Sequence, residues 1–262
     1  MGWLEIIGLG IAVVLVGFYV LTGVAIVVTA LVERRPVRHL TPAEPDDPIW
    51  QTLGALGSGT GSPRPVSSEM NADATPQKST YAETRALEAL RLGFSAPRLF
   101  KHAKGGIYRT CCLLTVSASQ QILAVIRWGT TGSIRDRVTM LYSVLDDGRY
   151  LVTSDRVTGS RVPGLSDDLV LPGAAFEQLF ERHEARLQDC GENLRMFDPS
   201  NPLAGYETLQ GQKASFLIAR GDAYWLDPRE TEYRFTLRGA LQLYGQVFST
   251  SHVDRTFRPA GR

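Results

Sequence analysis

The chain has 262 residues, enough for one good-sized domain with extensions. Its 28 Lys+Arg stand against 27 Asp+Glu, a near-neutral balance that argues against the strongly basic profile of a nucleic-acid binder. Cys111, Cys112 and Cys190 are too few and wrongly spaced for a disulfide framework or a zinc site, and the adjacent pair would point to opposite faces of a strand, so all three read as reduced structural thiols.

The first element is an uncharged run from Ile6 to Val32, IIGLGIAVVLVGFYVLTGVAIVVTALV. About 20 apolar residues suffice to cross the hydrocarbon core, so the run predicts a transmembrane helix. A cleaved signal peptide would want a basic start, a shorter run and a small-residue cleavage site; here Glu5 precedes the run and LVERRP ends it. Arg34, Arg35 and Arg38 follow, and nothing basic but the amino terminus precedes. The positive-inside rule then places residues 1–5 outside, 6–32 across the inner (plasma) membrane and 33–262 in the cytoplasm. The lipid bilayer is thus the first expected partner. Gly8/Ala12 and Ala25/Thr29 are small-xxx-small pairs that would let another helix approach.

Residues 33–78 read as a flexible linker, rich in Pro, Gly and Ser: TPAEPDDP, GSGTGSPRPVSS, NADATPQKS. About forty such residues reach on the order of 35 Å. One island interrupts them, DDPIWQTLGALG, in which Asp47 would cap a short helix with Pro48 at its first position. Ile49, Trp50, Leu53 and Leu56 would share a face, with Trp50 a candidate docking residue.

A cytosolic α+β domain is expected over 79–250, with a mobile tail at 251–262. TYAETRALEALRLG predicts a helix with Leu87, Leu90 and the neighbouring alanines on its apolar side and Gly93 ending it. GIYRTCCLLTVS, QQILAVIRWG, RDRVTMLYSVL and RYLVTSD predict a four-stranded antiparallel meander over 106–154. Asp146-Asp147-Gly148 suits a type I′ turn between the last two. A loop, RVTGSRVPGLSDDLVLPG, follows. AAFEQLFERHEARLQDCG is an amphipathic helix whose stripe carries Phe176, Leu179, Phe180, His183 and Leu187, stopped by Gly191. Asn201 caps the next helix, which Pro202 opens and Gly221 ends. A C-terminal β-hairpin and a last helix capped by Thr236 complete the chain. Strands first and helices after imply α+β architecture, with helices on one face of the sheet.

Chemistry is sparse. His39, His102, His183 and His252 show no metal spacing, and His183 lies in an apolar stripe where a satisfied core histidine is expected. No G-x-S-x-G, Walker A, G-x-G-x-x-G or C-x-x-C motif occurs. WGTTGS at 128–133 follows a strand, but another strand comes next, so it reads as a hairpin connection rather than a phosphate cradle. Asp155, Asp167 and Asp168 flank the long loop and form the one candidate for Mg²⁺ binding or acid–base work.

Residues 217–241, LIARGDAYWLDPRETEYRFTLRGAL, place a helix end, a glycine, an aromatic hairpin and a new helix in succession. The order resembles the wing region of a winged-helix DNA-binding domain. That resemblance would imply a phosphate-contacting hairpin, yet Asp227, Glu230 and Glu232 cluster at the turn, with Arg229 and Arg234 only balancing them. The helices before it are also joined by a stretch far longer than the three or four residues of a helix-turn-helix. Tyr224, Trp225, Tyr233 and Phe235 are therefore read as core or as a docking face for protein.

The expectation is a single-pass membrane protein, non-enzymatic, with no catalytic residue, cofactor or metal assigned. It would be an accessory or scaffold subunit offering its cytosolic domain to a protein partner. The alternatives are a membrane-tethered nucleic-acid binder, which is not favoured, and a hydrolase or transferase using the Asp155–Asp168 loop.

Overall fold

The computed structural model describes residues 3–36, 40–42, 80–102, 108–131, 134–157, 161–191, 193–248, 253–254 and 256–257. Its contacts divide into two compact units, Arg38–Gln210 with Thr250–Arg262, and Met1–Val37 with Gly211–Ser249. The sequence predicts one domain over 79–250; instead its last helical and hairpin segments group with the first 37 residues of the chain.

The larger unit is built on a seven-stranded sheet: β2 (Leu40–Pro42), β3 (Arg98–His102), β4 (Tyr108–Val116), β5 (Leu123–Thr131), β6 (Ile134–Val144), β7 (Tyr150–Ser154) and β8 (Ser166–Val170), adjacent in that order. All pairs are antiparallel except β7–β8, which is parallel. The predicted meander is its centre, β4 to β7. Three further strands correct that expectation. β3 and β2 extend one edge, so the chain at Leu40–Pro42 is sheet rather than linker. β8, inside the predicted loop, extends the other.

The β6–β7 turn also differs from the expected type I′. Gly148 alone in it has positive φ (86°), and its N–H donates to Leu145 O at 2.9 Å. This is the turn-plus-glycine-bulge hairpin, in which only the glycine needs the left-handed conformation. The chain end is anchored rather than free where it is described: Val253 bridges Val170, and Asp254 N–H donates to Val170 O at 2.9 Å.

Two helices cover one face of the sheet, α2 (Thr80–Arg91) and α3 (Phe176–Cys190). The face of α2 that meets the sheet is Ala82, Ala86 and Ala89, with Leu87 and Leu90 only half-buried. Alanines let the helix axis lie close to the strands. α3 buries Phe176, Leu179 and His183 on the predicted stripe and ends at Gly191, whose φ is 58°. The enclosed layer joins Cys111 and Leu113 of β4, Ala124, Ile126 and Trp128 of β5, and Leu141 of β6 to Phe94, Phe176 and Leu179. Phe94 meets Phe176 edge-on at 5.2 Å between ring centroids.

The smaller unit contains α1 (Trp3–Val32), β1 (Arg35–Pro36), the end of α4 (Pro202–Ala219), β9 (Ala223–Trp225), β10 (Glu232–Phe235) and α5 (Leu237–Phe248). The hairpin is not free. β1 adds to it as a third strand, Arg35 opposite Tyr233 and Pro36 opposite Glu232, in the order β1-β10-β9. α1 packs along α5 through small residues: Gly23 and Ala30 are buried, and a Cβ at Gly23 would sit 2.8 Å from the Tyr244 ring. Ala25 and Thr29 are exposed. Among the described residues no helix is long and apolar enough to cross a membrane.

Candidate functional site

Alternation along β6 and β7 puts Thr139, Ser143, Thr153 and the residue after β7, Asp155, on the helix-covered face, where water is excluded. Polar groups in such a place must find partners. They do so in two clusters, one under each helix.

Under α2, Asp155 accepts from the Thr139 N–H at 2.9 Å and from the Tyr81 hydroxyl at 2.8 Å, with the Arg85 guanidinium at 3.5 Å. Arg85 also donates to Ala174 O at 2.5 Å and to Glu88 at 2.9 Å. Glu88 in turn accepts from the Phe176 N–H at 3.1 Å, so a carboxylate from α2 caps the N-terminus of α3. Burial holds the Asp155 carboxyl above the usual carboxylate range, although its hydrogen bonds and Arg85 pull the other way. Burial and the Asp155 charge push the Tyr81 phenol up.

Under α3, His183 is fully enclosed, and its protons can be assigned from its neighbours. Ser143 Oγ lies 2.7 Å from Gln121 O, which can only accept, so the hydroxyl proton goes there. The His183 Nε2, 3.0 Å from Ser143 Oγ, must then carry the ring proton. Nδ1 accepts from Thr153 Oγ1 at 2.9 Å, and Thr153 Oγ1 accepts from Arg186 Nη1 at 2.9 Å. Arg186 also binds Val152 O and the Asp167 carboxylate, at 2.8 and 2.9 Å. Burial, and then the Arg186 charge, lower the imidazole pKa to about 3. A neutral imidazole that already donates to the serine cannot take the serine's proton, so the Ser143–His183 pair is not an activated nucleophile.

The three loop aspartates do not converge. Asp155 is buried under α2, Asp167 pairs with Arg186, and Asp168 accepts from Ser166 at 2.5 Å. Consecutive residues of β8, Asp167 and Asp168 lie opposite Leu151 and Val152 and face opposite ways. The three carboxylates therefore each have a separate set of partners. Among the described residues no cluster of His, Cys, Asp and Glu is arranged to hold a metal. A recess of about 260 Å³ lies between β7, β8 and the end of α3, lined by Tyr150, Leu165, Ser166, Asp167 and Cys190 among others. That is below the roughly 300–1,000 Å³ of small-molecule sites. Its Arg149 is held by Asp147 and its Asp167 by Arg186.

The hairpin residues fall into two classes. Tyr233 and Phe235 are buried and meet each other edge-on at 5.9 Å; Trp225 packs on Tyr233 at 6.2 Å. Tyr233 and Phe235 thus belong to the buried side of the hairpin, with Trp225 half-buried beside them. Tyr224, on the opposite side of β9, is exposed. The acidic tip has a structural cause. Asp227 accepts from the N–H groups of Thr231 and Glu232 at 2.9 and 3.1 Å and from the Thr231 hydroxyl at 2.7 Å, which lowers its carboxyl below the usual range.

Arg34 lies 3.9 Å from Glu232, and Arg35 pairs with Glu33 at 3.1 Å while its guanidinium stacks over Phe235 at 4.9 Å. Arg38 and Trp50 lie outside the described residues, as does the DDPIWQTLGALG island. Sequence reasoning missed Asp222, the most enclosed carboxylate in the unit. It sits between Arg220 at 3.0 Å and Arg238 at 3.2 Å, while its backbone carbonyl accepts from the Thr236 N–H at 2.9 Å. The Arg-Gly-Asp run after α4 was its only signal. No family model, no curated protein and no solved structure matches the chain.

Proposed function

We propose that the protein is a membrane-anchored accessory subunit that holds a protein partner beside the inner membrane and carries out no chemistry itself. The observation that carries the reading is the surface of α1. Val13, Val14, Val16, Val20, Leu21, Val24, Val28 and Val32 are all more than half exposed, along one broad face of the helix. An apolar surface of that extent on a soluble monomer is rare and marks contact with lipid or protein. The uncharged sequence from Ile6 to Val32, ended by Arg34 and Arg35, supports lipid as the medium and a cytoplasmic side for the rest of the chain. The closed, fully paired polar clusters of the sheet unit favour a binding role over a catalytic one. Exposed Tyr224 is the hairpin residue left for contact with a protein.

Alkaline carbonate extraction of membranes containing the full chain tests the anchor: retention in the pellet is expected, and release into the supernatant removes the reading. A reporter fused after Arg262 is expected to act as a cytoplasmic one. Cross-linking in intact cells, followed by purification in detergent, is expected to return one stoichiometric protein; recovery of the chain alone counts against the accessory role.

A further inference from the structure

We infer that α5 meets the bilayer beside α1, so that the chain contacts lipid through two helices rather than one; this rests on the reading of α1 as an anchor. Four observations carry it. First, α5 runs back along α1. β1 follows α1 and pairs with β10, α5 starts just after β10, and Tyr244 reaches the backbone at Gly23. Second, the contact lies on the apolar part of α1. Residues 23–32 span about 13 Å at roughly 1.5 Å per residue, within the half-thickness of about 15 Å of a hydrocarbon core.

Third, α5 offers an apolar face there. Leu237 and Leu241, one helical turn apart, are 59% and 53% exposed. From Gly239 to Phe248 the helix has no charged residue, and its Gln242 is held by Arg220 at 2.9 Å. Fourth, the charges gather where the two helices meet the hairpin. Arg34 and Arg238 have side chains 70% and 65% exposed, a placement that suits anionic headgroups. The leucines of α5 thus continue the apolar surface of α1, and the occupant of that surface is lipid.

Site-directed spin labelling of the full chain in phosphatidylcholine–phosphatidylglycerol vesicles tests this. Cys190 is replaced by serine, since Cys111 and Cys112 are buried. Single cysteines are placed by Leu241→Cys, Val24→Cys and Met196→Cys, all at exposed positions. Labels at 241 and 24 are expected to collide with oxygen and to lose collisions with a water-soluble nickel chelate, with the reverse at 196. A water-like label at 241 beside a lipid-like label at 24 overturns the inference while the anchor stands. Water-like labels at both overturn the anchor and the inference together. A label at 241 shielded from both reagents overturns lipid as the occupant in favour of a second protein surface.

Discussion

In the sheet unit Leu113, Leu141, Phe176 and Leu179 are fully enclosed; in the helix–hairpin unit Val14, Leu21 and Val32 stand in the open. Of the exposed large apolar side chains among the described residues, only Val157 and Met196 belong to the sheet unit. The sheet unit buries its apolar residues within itself and pairs Asp155, Tyr81, His183 and Thr153 in two internal clusters. The helix–hairpin unit buries Tyr233, Phe235, Leu217 and a few alanines, and leaves a row of valines and leucines on α1 uncovered. Folding in water explains the first arrangement. The second makes sense where the surroundings are themselves apolar.

The contrast can be broken most forcefully at Phe176. Phe176→Ala is expected to cost the sheet unit about 3–5 kcal/mol in urea titration, whereas Val24→Ala should leave that titration unchanged. Equal effects would mean that the units share one core. Next in size is Gly239→Ala. Its new Cβ would stand 1.9 Å from the Asp222 carbonyl oxygen, which cannot move away without losing its bond from Thr236. A loss of about 3 kcal/mol is expected from such overpacking, read by hydrogen exchange as lost protection in β9, β10 and α5 with β5 and β6 unaffected.

A third test uses pH. His183 is held near 3 when folded and titrates near 6.5 when unfolded, so the unfolded state binds more protons between those values. Its contribution to stability is complete above pH 6.5 and falls with acidification at up to about 1.4 kcal/mol per pH unit. Asp155, raised on folding, acts in the opposite sense as pH falls below its folded value. His183→Gln should flatten the acid limb of the stability profile for the sheet unit; an unchanged limb would refute the buried neutral imidazole. The smallest effect is expected at Arg34→Ala, within about 0.5 kcal/mol because its partner is 3.9 Å away at the surface. A topology reporter, by contrast, should show more molecules inverted.

The central strands were legible because β4 to β7 are long and rich in β-branched and aromatic residues. So were the helix limits, since Gly191 and Gly221 take up positive φ where helices stop. β8 was not legible. Ser166-Asp167-Asp168 reads as a solvated loop, and only a parallel neighbour at the sheet edge, with Arg186 to hold Asp167, makes it a strand. β1 and β2 are too short to show any period. The apolar side of α2 was legible in its alanines, but their weight over Leu87 and Leu90 was not, because close approach to the sheet selects the smaller side chain. The polar clusters were invisible for a related reason. Tyr81 and Asp155 are far apart in sequence, and nothing local says that a hydroxyl from one will meet the carboxylate of the other.

The pairing of Arg35 with Tyr233 has a consequence for how the chain is made. The two strands are roughly 200 residues apart, so synthesis delivers β1 long before β10 exists, while the strands of the sheet unit arrive next to one another and can form early. α1 must wait for α5 through most of translation. The helix–hairpin unit therefore closes only once its last helix, Leu237–Phe248, has been made. Any molecule cut short before residue 232 lacks the strand that pairs with β1 and the Tyr244 that packs at Gly23.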